Sequence, residues 1–159
     1  MSMGTIIIII LTALVIGFVL RATKLYKLIN RTLYCLSLKK DVTPTMMQFQ
    51  NASVGCLGVI CIPGMCFFFI TPIFLFFKVD WWIPIVALCA GLTLGNLIGY
   101  IIERILQLPN HDTYGGDFLD LNALELTMDN GKLYRRATWL MILYSFTSFI
   151  ISMIIMFNV

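Results

Sequence analysis

Charge is what this chain has least of: Asp, Glu, Lys and Arg make up 12% of its 159 residues, where a soluble domain carries about 25%. Hydrophobic residues make up 60% against about 45–50% in such a domain, which excludes water as the only solvent. Histidine is scarcer still, with His111 alone. A zinc site takes three or four ligands in tetrahedral order, and one histidine among loop carboxylates does not supply them. Asp112, Asp117 and Asp120 lack the spacing and the terminal Glu of an EF-hand calcium loop. There is no Walker loop, no G-x-S-x-G and no H-E-x-x-H. No catalytic residue, metal or cofactor is expected. Of the five cysteines, Cys56, Cys61, Cys66 and Cys89 fall in apolar stretches, where cysteine acts as a small hydrophobe. Spacings of five residues scatter the first three around a helix. Cys35 falls just beyond the first apolar stretch, on the face expected to be cytoplasmic, and nothing requires it to be acylated.

The charges that do occur leave four uninterrupted gaps: 4–20, 52–77, 81–102 and 137–157, of 17, 26, 22 and 21 residues. A helix needs about 20 apolar residues to cross a bilayer, and inside lipid every backbone group must bond within its own segment. The expected fold is therefore all-α: one domain of four transmembrane helices. The first gap is short, so its helix is expected to continue past Arg21, whose stem would return its charge to the headgroups. No Lys or Arg falls in Met1 to Thr5, so a retained helix is expected rather than a cleaved signal. Pro63 and Pro72 predict a kink or tilt in the second helix.

Lys and Arg also set the orientation. Segment 21–51 holds six, the turn Lys78-Val79-Asp80 one, and segment 103–136 four. Alternating sides puts ten on one face and one on the other, so both termini are expected on the extracytoplasmic side of a plasma or inner membrane. Trp81, Trp82 and Trp139 fall at span ends, where their amphipathic rings suit the interface.

Two stripes address helix packing. Ala87, Gly91, Gly95 and Gly99 recur every four residues, giving one smooth helix face that permits backbone contact. Its partner is either another span of the same chain or a second copy. Thr138, Ser145 and Ser152 keep heptad spacing, with Ser148 beside them. Their hydroxyls are expected to bond backbone carbonyls in a helix seam, with a pore lining as the sharper alternative. Asn96 is the one amide well inside a span and reads as interhelical glue. Glu103 continues the glycine stripe into the headgroup zone, where it is expected to pair with Arg104 or across a subunit boundary, the sharper alternative being an ion-filter ring.

The segments between spans differ in sign. Residues 21–51 carry a balance of +5, with Leu25, Ile29, Leu33 and Leu36 on one helical face and Lys24, Lys27 and Arg31 on the other. This reads as a basic amphipathic helix, resting on anionic lipid or docking a partner through Arg21, Lys24, Lys27, Arg31, Lys39 and Lys40. No nucleic-acid motif accompanies them. Residues 103–131 carry −5. There Pro109 is expected to end the third helix, and Asp117, Asp120, Glu125 and Asp129 are candidates for partner contact. These features predict a non-catalytic membrane subunit: an anchor, scaffold or sensor. It would self-associate through the glycine stripe and dock a cytosolic protein through its charged segments, in a defence, secretion or immunity system. A small oligomeric channel, or an assembly subunit of a respiratory or transport complex, would share the packing features.

Overall fold

The computed structural model describes residues 1–37, 44–108 and 130–159, and these are helical, with no strand among them. α1 spans Met3–Ser37, α2 Pro44–Lys78, α3 Trp82–Ala90, α4 Asn96–Ile105 and α5 Asn130–Asn158. A π-helical turn, Gly91–Gly95, joins α3 to α4 without a break. Four helices are long and apolar enough to cross a membrane: Met3–Ile29, Cys61–Lys78, Trp82–Ile105 and Arg135–Asn158.

Local chemistry sets the helix ends. Ser2 accepts a hydrogen bond from the Thr5 N–H at 3.3 Å, satisfying one of the first-turn donors that have no partner within the helix. Pro44 opens α2, a position where its missing N–H costs nothing. Further along, Pro63 and Pro72 lie inside α2, which remains one helix through both. Each removes the donor for the carbonyl four residues earlier.

α4 stops before Pro109. Gln107 has φ 59°, its N–H bonds the Arg104 carbonyl at 3.0 Å, and the Leu108 N–H bonds the Glu103 carbonyl at 2.9 Å. That pair of bonds is a Schellman motif with glutamine in the left-handed position usually given to glycine. The motif turns Leu108 into the core, where it is buried with Leu25, Leu28 and Ile29 of α1 and Ala137, Leu140 and Met141 of α5.

Contacts along the helices fix their register. α1 runs parallel to α3–α4: Gly17 meets Gly95, and a Cβ on Gly99 would lie 2.7 Å from Arg21 Cγ. α2 runs parallel to α5: a Cβ on Gly64 would lie 2.7 Å from the Ser145 carbonyl oxygen, and Phe67 packs edge-on against Phe149 at 5.3 Å between centroids. α1 and α5 run antiparallel, with Phe18 stacked on Tyr144 at 5.0 Å. Both termini thus share one end of the bundle, and Arg21, Glu103 and Arg136 lie toward the other, here called the basic end.

The described part of residues 21–51 belongs to the two long helices. α1 continues unbroken from its apolar half to Ser37, and α2 begins at Pro44. On the first turns of α1 past Arg21, Leu25, Leu28 and Ile29 are buried in the bundle, with Leu25 and Ile29 at 0% exposure. These three pack against Leu108 and against Ala137, Leu140 and Met141 of α5.

Candidate functional site

The most polar place inside the bundle is built by three helices. Arg21 of α1 and Glu103 of α4 are 2% and 4% exposed, and Arg21 Nη2 lies 3.6 Å from Glu103 Oε2. Tyr144 of α5, 1% exposed, donates its hydroxyl to the Gly99 carbonyl at 3.1 Å and lies 3.5 Å from Glu103 Oε1. The Tyr100 ring has the Arg21 guanidinium carbon 5.8 Å from its centroid, within cation–π range. A charge at this depth is tolerated because its partner is supplied by a neighbouring helix.

This arrangement corrects two expectations. Arg21 does not return its charge to the headgroups but turns inward to Glu103. Glu103 does not pair with Arg104, which is exposed, donates from Nε to the Tyr100 hydroxyl at 3.0 Å and lies 5.2 Å over the same ring. Two arginines thus share the Tyr100 ring.

The glycine stripe explains how Arg21 reaches Glu103. Gly91, Gly95 and Gly99 are buried, and the partner is α1 of the same chain. A Cβ on Gly91 would meet Ile16 Cβ at 2.7 Å and the Ala13 oxygen at 3.0 Å, and one on Gly95 would meet Gly17 Cα at 2.7 Å. Ala87, at the head of the stripe, is also fully buried, packed with Ile9 and Ile83. The face that a homo-oligomer or a pore ring needs is filled by α1. Sequence reasoning missed Gly17, although Ala13, Gly17 and Arg21 repeat the four-residue spacing of the stripe they meet. Tyr144 carried no comparable signal.

In α5, Ser145, Ser148 and Ser152 are buried, in keeping with a seam. The hydroxyls of Ser148 and Ser152, like that of half-buried Thr138, make no hydrogen bond among the described residues, where bonds to carbonyls had been expected, and Ser145 meets the Cys61 thiol. Asn96 donates from Nδ2 to the Leu92 carbonyl in its own helix at 2.6 Å. That group stabilises the π-helical turn instead of joining a neighbouring helix. Between α2 and α5 a cleft of about 150 Å³ is bordered by Cys61, Pro63, Ser145 and Phe149.

At the basic end, Lys27, Arg104, Lys132, Arg135 and Arg136 are exposed and Lys24 is half-buried. Arg136 donates to the Leu106 carbonyl at 3.1 Å, which ties the start of α5 to the end of α4. Arg31 lies on α1. Lys39, Lys40, Asp117, Asp120, Glu125 and Asp129, with His111 and Asp112, lie outside the described residues. Among the described residues no three His, Cys, Asp or Glu side chains gather where they would hold a metal ion.

No protein-family model matches the chain, and neither the curated proteins nor the solved structures contain a match.

Proposed function

We propose that the chain is a non-catalytic, four-span subunit of a plasma or inner membrane that docks a soluble cytosolic protein on its basic end, in a system such as defence, secretion or immunity. The basic end would face the cytoplasm and both termini the other side, the orientation favoured by ten Lys and Arg against one. Self-association through Gly91, Gly95 and Gly99 is not retained, because α1 occupies that face.

The observation that carries the reading is how firmly the basic end is framed. Leu25, Leu28 and Ile29 of α1 are packed with Leu108 and with Ala137 and Leu140 of α5, so Lys27, Lys132 and Arg135 stand exposed on buried supports. Buried supports of this kind fix the spacing of the cations along the helices, which favours a protein of complementary charge. Distance separates this reading from simple lipid contact. α1 continues 16 residues past Arg21 to Ser37, about 24 Å at 1.5 Å per residue. The last charge on it, Arg31, stands 10 residues past Arg21, about 15 Å at that rise, which is beyond the Debye length of about 8 Å at physiological salt and within reach of a soluble partner.

The test is affinity capture from gently solubilised membranes, comparing the wild type with the triple variant K27E/K132E/R135E. A stoichiometric soluble protein should be retained by the wild type, released as salt rises and lost from the variant, with the variant's melting temperature unchanged. Equal capture by both proteins, or release only on loss of the fold, contradicts docking through these charges.

A further inference from the structure

Four buried hydroxyls from three helices fall near one level of the bundle, well away from the basic end. Thr12 of α1, Thr71 of α2, and Ser148 and Ser152 of α5 are each 0% exposed. None of their hydroxyl oxygens has a hydrogen-bond partner among the described residues. Other threonines here do satisfy themselves locally: Thr23 and Thr93 each donate to the carbonyl four residues earlier, both at 3.0 Å. The four buried hydroxyls behave differently.

Register brings them together. The Gly64–Ser145 contact and the Phe67–Phe149 ring pair set α2 against α5 in parallel. Carried on by seven residues from Gly64 and Ser145, that register places Thr71 beside Ser152. The Phe18–Tyr144 stack sets α1 against α5 in the opposite sense. Counting six residues along α1 from Phe18 reaches Thr12, and six along α5 from Tyr144 reaches position 150, between Ser148 and Ser152. A fifth polar group belongs to the same stretch. Pro72 follows Thr71 inside α2 and leaves the Phe68 carbonyl without its usual donor.

Burying a hydroxyl without a partner is unfavourable, the more so where lipid surrounds the protein. A buried water typically makes about three hydrogen bonds to groups that otherwise lack partners, and this level offers four hydroxyls and a carbonyl. We infer that Thr12, Thr71, Ser148 and Ser152 form an internal hydration site in which ordered water bridges α1, α2 and α5. The water supplies the Phe68 carbonyl with the donor that Pro72 removed and holds α2 in register against α5. This inference needs no particular orientation or partner, so it stands or falls apart from the proposed function.

Two measurements on the full chain in lipid bilayers test it. In water-edited solid-state NMR, magnetisation from water should reach the Thr12 and Thr71 side chains as quickly as it reaches Thr5 near the exposed N-terminal end. It should not lag as it does at buried Ile16. In thermal melts, the isosteric substitutions T12V and T71V should each lower the melting temperature by about 2–4 °C, roughly 1 kcal/mol for a chain of this size. The double variant should lose less than the sum, because both side chains hold the same water. Slow transfer to both threonines, or substitutions that raise the melting temperature and add independently, would mean that the hydroxyls are dry and overturn the inference.

Discussion

Arg21 Nη2 and Glu103 Oε2 lie 3.6 Å apart with both side chains almost wholly buried, on helices held in contact by Gly17 and Gly95. Charge pair and glycine contact depend on each other. Without a Cβ at Gly99 the Arg21 stem lies flat against α4, its Cγ 2.7 Å from where that Cβ would be. Glu103 in turn sets a counter-charge 3.6 Å from the buried guanidinium.

Removing one partner should therefore cost more than removing both. Glu103→Leu alone is expected to destabilise the protein by about 3–5 kcal/mol, the usual penalty for breaking a buried ion pair on one side only. The double variant R21M/E103L should recover most of that loss, since a packed apolar pair of similar volume is often as stable. Melting of both variants in the same detergent checks this. A double variant no better than the single one would show that the two charges do not act as a pair.

Gly95 tests which surface the stripe serves. A methyl group there would meet the Gly17 backbone, which cannot rotate away as a side chain can. Gly95→Ala should lower stability by about 1–3 kcal/mol, as overpacking typically does, with no change in oligomer size on a sizing column. A smaller particle with unchanged melting would instead assign the stripe to a contact between copies.

Tyr144 joins the third helix to the pair through the Gly99 carbonyl. Tyr144→Phe retains the stack on Phe18 and deletes one neutral hydrogen bond, worth about 0.5–1.5 kcal/mol. A loss several times greater would mean that the hydroxyl also supports the Glu103 carboxylate, 3.5 Å away.

Arg136 tests the link between α4 and α5. Its guanidinium donates to Leu106, one of the last carbonyls of α4, where a cation suits the helix dipole. Arg136→Gln should increase amide hydrogen exchange at Leu106 to Leu108 while leaving the core around Tyr144 protected. Uniform exchange across the bundle would make Arg136 part of the global fold rather than a local tie.

The four apolar helices were legible from charge gaps alone, because lipid imposes internal hydrogen bonding on any long uncharged run. The glycine spacing likewise announced a close helix contact, though not its partner; the mirrored spacing of Ala13 and Gly17 in α1 supplies it. Arg21 and Glu103 were misread because each stands at the edge of its gap, where a charge ordinarily turns to the headgroups. Their pairing depends on the register of α1 against α4, and register is set by contacts far apart in sequence. The basic stretch after Arg21 has an amphipathic pattern that fits a bilayer surface, a docked partner and the flank of a bundle equally well. Leu25, Leu28 and Ile29 pack in the bundle with Leu108, which is buried by the turn at Gln107 that no periodicity announces.

The account depends most on the chain crossing a membrane four times with its basic end in the cytoplasm. Single cysteines placed at Ser2, Lys78, Lys132 and Val159 in a variant lacking the native cysteines, probed with a membrane-impermeant thiol reagent on intact cells, test this directly. Labelling at positions 2, 78 and 159, with position 132 labelled only after the membrane is opened, is the predicted result. Labelling of position 132 on intact cells, or protection of either terminus there, would contradict it.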